Sequence, residues 1–202
     1  MLHIVGCSYS LGNCWPRYIT EPYTNWSVSG AGNEYIYTVV NRLKLSPQDR
    51  VIVQFSEFTR IDVILDKDNP FNRMLEELPS VQMRELDDCI AWCTAGPRGA
   101  WNNTPAGKKY LTYLMREKYS IKSQYQDSLA YVIACKHLLQ DTDHLFLAKD
   151  RFHLQLIDRF PDWFPYPPMS EWATENNMLD DDDFHLSQKG NKKYYDNFIS
   201  KW

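Results

Sequence analysis

Hydrophobic and polar positions switch between two periods along this chain. The opening run "LHIV", closed by Gly6, is short and apolar and predicts a buried strand. A second extended segment, "TNWSVSGAGN", ends in a glycine-rich turn. From Asn33 to Leu43 the period changes. Ile36, Val39, Val40 and Leu43 fall at the i, i+3, i+4, i+7 spacing of one helix face. "RVIVQF", Arg50 to Phe55, follows the turn-forming "SPQD" and is β-branched and apolar, so it reads as a strand.

From about residue 66 to residue 107 the pattern loosens. Pro, Gly, Trp and Asn punctuate it, and it predicts one helix over Val81 to Cys93 inside an insertion or lid. Lys109 to Leu139 predicts helix, in one or two pieces, with Leu129, Val132, Ile133 and Leu139 turned to the core. "HLFLA", His144 to Ala148, predicts another strand. "FPDWFPYPP" cannot form regular helix or sheet, because proline fixes φ and lacks a donor, so an ordered aromatic loop is expected. Ser187 can cap a last helix to Trp202, with Tyr194, Phe198 and Trp202 on one stripe.

Strands alternating with long helices imply an α/β protein, with a mostly parallel sheet covered on both faces. The 202 residues, 44% of them hydrophobic, suit one domain over residues 1–202. The net charge of −4 argues against a broad nucleic-acid-binding surface. No run reaches the length of a membrane span, and the N-terminus has neither the basic segment nor the long apolar run of a signal peptide. The five cysteines are odd in number and show no CxxC spacing, so a cytoplasmic compartment without a disulfide framework is expected. Cys89 and Cys93, four apart on the expected helix, suit burial as small apolar groups better than zinc ligation.

In a parallel sheet, ligands bind beyond the carboxyl ends of the strands. That rule brings together "GCSYS", "SGAGN" and "QFSEFTR", each of which follows a predicted strand. "DDDFHLSQKGN" adds Asp182 and His185, three positions apart just before the last helix. A serine hydroxyl is a poor nucleophile until a base takes its proton, and that base needs a carboxylate to fix its tautomer. Taken alone, "GCSYS" reads as a common strand-end turn. Asp180 to Asp183 could equally be a solvated acidic loop, with a calcium site weaker still for want of EF-hand spacing. His3, His137, His144 and His153 show no ligand spacing, and Arg60 with Glu57 could be a plain ion pair.

The four blocks, in this order, resemble the SGNH (GDSL-like) hydrolase superfamily over nearly the whole chain. The resemblance implies a flavodoxin-like three-layer α/β/α sandwich. It implies an esterase or acylhydrolase acting on small acyl esters such as O-acetylated glycans, with no cofactor and no metal. It places the nucleophile on Ser8, the triad acid and base on Asp182 and His185, and the oxyanion donors on the backbone N–H groups of Ser8 and Gly30. Two departures stand out. Cys7 replaces the family's Asp before the nucleophile, and "QFSEFTR" lacks the Asn that should donate to the oxyanion. Ser56 or Asn33 is a substitute donor, and Arg60 is a candidate substrate-binding residue at the same edge. The departure opens a second reading, a catalytically silent module that binds a glycan or protein. A third is an acyltransferase with the same triad.

Overall fold

The computed structural model describes residues 1–76, 81–93, 105, 109, 120–150, 157–158, 160–180 and 185–202. Its strands are β1 (Leu2–Val5), β2 (Tyr23–Asn25), β3 (Arg50–Phe55), β4 (Asp62–Asp66), β5 (Gln82–Glu85), β6 (Cys89–Cys93) and β7 (Asp143–Ala148). Four of them form a parallel sheet in the order β2-β1-β3-β7. Helices lie on both sides, so the chain has the α/β class expected from its sequence. Val5 pairs with Val53, and Phe55 with Ala148, so the carboxyl ends of the strands gather along one edge. Strands buried on both faces read as continuous apolar runs. β3 follows this rule, with Val51 to Phe55 all at 1% exposure or less.

The helices are α1 (Asn33–Arg42), α2 (Phe71–Glu76), α3 (Ile121–Leu138), α4 (Met169–Glu175) and α5 (Gln188–Asn197). α1 packs on β1 and β3, and α3 packs on α1. Ser187 caps α5 as expected, its Oγ accepting from the Gly190 N–H at 3.1 Å. The helix stops at Asn197, short of Trp202, and a 3-10 turn over Ile199–Lys201 follows. The aromatic loop carries one 3-10 turn, Pro161–Trp163, whose proline sits where the missing N–H costs nothing. β2 is three residues long and takes in only Thr24 and Asn25 of the expected extended segment. Beyond it, the Trp26 N–H donates to the Ile4 carbonyl at 2.8 Å and the Val28 N–H to the Gly6 carbonyl at 3.2 Å.

The helix expected over Val81 to Cys93 is instead the antiparallel hairpin β5–β6, and β6 also pairs with β4 in a second, three-stranded sheet. The burial shows why. Cys89, Ala91 and Cys93 enter the main core, whereas Trp92 and its neighbour Ile90 pack in a smaller cluster with Ile61 and Leu75. That is the period of two of a strand with both faces covered, and a short apolar run hides it. The expected core face of α3 is also offset. Val132 and Leu139 are fully buried, and Leu129 packs at the core margin, but Ile133 is 38% exposed and Cys135 takes the inward place. Ile133 is one position past Val132, about 100° around the helix. No helix among the described residues is long and apolar enough to cross a membrane.

Candidate active site

The first strand ends in a corner that only glycine can make. A Cβ on Gly6 would lie 2.2 Å from Ser10 Oγ and 2.9 Å from Gln54 Cβ. Ser8–Ser10 then forms a 3-10 turn, with the Ser10 N–H donating to the Cys7 carbonyl at 3.0 Å. Asn25, at the end of β2, fastens the turn. Its Nδ2 donates to the Ser10 carbonyl at 2.8 Å, and its Oδ1 accepts from the Ser27 N–H at 2.9 Å. Ser27 Oγ–H donates to Ser10 Oγ at 3.0 Å. Ser10 is thus fully engaged in shaping the loop, while Ser8 faces a pocket.

His185 reaches that pocket from the other end of the chain. A Leu179–Leu186 bridge, with the Asp180 N–H donating to the His185 carbonyl at 2.7 Å, sets the segment. His185 Nε2 lies 2.9 Å from Ser8 Oγ, across a sequence separation of 177. Its other ring nitrogen, Nδ1, is buried. Asp182, the expected triad acid, lies outside the described residues. The pocket has a volume of about 320 Å³, and its walls include Asn13, Cys14, Ser29, Asp180 and Asn191. Gly30, next to Ser29, is buried with φ 80°, the left-handed conformation that favours glycine. Among the described residues, the N–H groups of Ser8 and Gly30 meet no acceptor.

The substitute donors named from sequence are not brought to this pocket. Asn33 and Ser56 hold each other. The Ser56 N–H donates to Asn33 Oδ1 at 2.8 Å, and Asn33 Nδ2 donates to the Ser56 carbonyl at 3.0 Å and to Ser128 Oγ at 2.5 Å. Ser56 is completely buried, so its hydroxyl cannot meet a ligand. Arg60 donates to Glu57 at 3.2 Å and to the Ala31 carbonyl at 3.3 Å. It lines a separate depression of about 60 Å³ with Asn33, Glu34, Asp62 and Asp127.

The charged groups of that second region are largely buried and mostly paired within the protein. Burial alone would raise the Glu57 carboxyl, but Lys149 at 3.1 Å and Arg60 together hold it below its ordinary value. Asp62 is wholly buried and serves as a cap for α1 from outside the helix. Its two oxygens accept from the Gly32 N–H and the Tyr35 N–H, each at 2.8 Å. Burial nevertheless raises its pKa to about 6. Glu34 is raised to about 7, by burial first and then by the charges of Asp62 and Asp127.

Sequence reasoning missed Asn25, Asp62 and Tyr9. The first two act by folding chain onto chain, and no local pattern marks them. Tyr9 carried a signal, a large aromatic directly after the candidate nucleophile. Among the described residues no group of three His, Cys, Asp or Glu side chains is placed to hold a metal ion. None of the five cysteines is in a disulfide.

No protein-family model matches the sequence. No curated protein matches it either. A solved structure, a member of the lipolytic protein G-D-S-L family from Veillonella parvula DSM 2008, aligns over 100% of both chains. Its identity to this chain is 9% and the TM-score is 0.38.

Proposed function

We propose that the chain is a serine esterase or acylhydrolase acting on a small acyl ester. The observation that carries the reading is the 2.9 Å approach of His185 Nε2 to Ser8 Oγ. That is the reach a general base needs. With the proton on Nδ1, Nε2 accepts the Ser8 proton as Oγ attacks the ester carbonyl. The tetrahedral oxyanion then accepts from the Ser8 and Gly30 N–H groups. Collapse expels the alcohol, which takes the proton from His185. Water, deprotonated by the same nitrogen, releases the acid from the acyl-enzyme. Asp182 is the proposed partner that orients the imidazole.

The pocket walls favour a polar alcohol. Asn13, Ser29, Gln188 and Asn191 offer amides and hydroxyls, against two leucines, Leu11 and Leu186. Such walls suit an O-acetylated sugar better than a long acyl chain. Hydrolysis of p-nitrophenyl acetate and of an acetylated oligosaccharide tests the reading. Ser8→Ala should lower turnover by about 10³-fold or more, with the fold intact. A wild-type protein that neither hydrolyses these esters nor labels with a fluorophosphonate, yet binds the oligosaccharide as tightly as Ser8→Ala does, would be a silent binding module. An acyl group recovered on an added alcohol, rather than as free acid, would make it a transferase.

A further inference from the structure

We propose that Tyr9 is a positioning residue, a flat platform that keeps the His185 imidazole turned toward Ser8. The inference rests on the reading of His185 as the base. The two ring centroids are 4.7 Å apart, with an interplanar angle of 36°. The hydrogen bond that Nε2 accepts from Ser8 fixes one atom of the imidazole but leaves the ring free to turn about that contact. The χ2 torsion of histidine is broad and two-fold, so a contact on the ring face helps to set the plane alongside any bond at Nδ1. Tyr9 supplies that face. It is 5% exposed and follows Ser8 within the same 3-10 turn, so nucleophile and platform are one rigid piece.

The platform is itself anchored. Lys149 Nζ stands 5.4 Å from the centroid of the Tyr9 ring, and Glu57 holds that ammonium at 3.1 Å. Burial, with smaller contributions from its charged neighbours, pushes the Tyr9 hydroxyl far above its ordinary pKa, so the ring stays neutral. Glu57 also pairs with Arg60. The exit of β3 therefore has a role although its side chains do not line the Ser8 pocket: it backs the aromatic ring on which the base rests. When His185 takes the Ser8 proton it becomes a cation, and a cation is attracted to an aromatic face. The platform thus favours the protonated imidazole that forms during acyl transfer in the geometry that must later return the proton.

The test pairs Tyr9→Leu with Tyr9→Phe. Loss of the tilted Tyr9 ring should lower kcat for p-nitrophenyl acetate about tenfold with KM within threefold, the scale of one aromatic pair. Phe, which keeps the ring, should restore kcat to within about twofold. A readout independent of turnover is the NMR spectrum of the His185 ring protons. Their ring-current displacement should persist in Tyr9→Phe and vanish in Tyr9→Leu. Nuclear Overhauser contacts between the two rings in the wild-type protein serve if Tyr9→Leu fails to fold. Absent contacts, unmoved His185 resonances in Tyr9→Leu, or a folded Tyr9→Phe as impaired as Tyr9→Leu would overturn the proposal. A wild-type protein without esterase activity but with the ring-current signature would sink the esterase reading and leave the platform standing.

Discussion

Two corners of this molecule leave the same edge of the sheet, and they differ in where their polar groups point. At the exit of β1, Ser8 and His185 face a pocket of about 320 Å³. At the exit of β3, chemistry-bearing residues are just as dense, but most of them satisfy one another. Glu57 takes Arg60 and Lys149, Asp62 takes two N–H groups of α1, and Asn33 takes both backbone groups of Ser56. Reactive residue types do not by themselves mark a site. What separates the two corners is whether donors and acceptors remain available to a ligand. The strand order reverses between β1 and β3, and ligands favour that kind of crevice. Here one wall of the crevice holds a pocket of about 320 Å³, and the other only a depression of about 60 Å³.

The sharpest way to break this contrast is Asn33→Ala. As a clamp, Asn33 satisfies a buried N–H and a buried carbonyl of Ser56, and leaving them unpaired costs roughly 2–4 kcal/mol. Denaturant unfolding should show that loss. Turnover per folded molecule should stay within a few-fold. A drop of about 10²–10³ in kcat with little loss of stability would mean instead that Asn33 donates to the oxyanion, and the two corners would merge into one site.

Next in size is the closed corner's response to pH. Glu34 titrates near 7 in the folded protein, against an ordinary 4.5. An acid whose folded pKa is raised binds its proton more tightly when folded. Stability is therefore greatest where both states are protonated, and it falls as pH rises from about 4.5 through 7. Glu34→Gln removes the charge that must otherwise be buried at high pH. The variant should gain on the order of 2 kcal/mol at pH 8 and nothing at pH 4, read from thermal midpoints across that range. A parallel pH dependence in wild type and variant would show that Glu34 is not the group the corner strains to bury.

The sequence made the open corner legible and left the closed one obscure. β1, β3, β7, α1 and the capped start of α5 each carry a clear period and a stop signal. Gly6, Ser8 and His185 sit at element ends, where loops carry function. The closed corner is built from contacts between distant segments. Asp62 accepts from the N–H of Gly32, thirty positions earlier and just before α1, and Asn33 joins Ser56 and Ser128. Such pairings leave no local periodicity. The β5–β6 hairpin was missed for a related reason. Its turn is Asp87-Asp88, closed by the Leu86 N–H donating to the Cys89 carbonyl at 2.9 Å, and β6 is apolar on both faces. A strand between two cores shows no alternation of polar and apolar residues for a reader to find.

The smallest expected effect tests how firmly the open corner is set. Gly30 adopts φ 80°, where a Cβ costs about 1 kcal/mol. Gly30→Ala keeps the N–H that the proposed mechanism uses, so it separates the donor from the turn that aims it. If the turn holds, stability falls by about 1 kcal/mol and kcat changes less than threefold, because the amide still points where it did. If the turn instead relaxes to negative φ, the stability cost shrinks, the N–H swings away, and kcat falls by the 10²-fold or so that one lost oxyanion donor costs. Unfolding and kinetics measured on the same preparation tell these apart. A variant unchanged in both would mean that the turn after β2 neither requires glycine nor serves the pocket, and the open corner would reduce to Ser8 and His185.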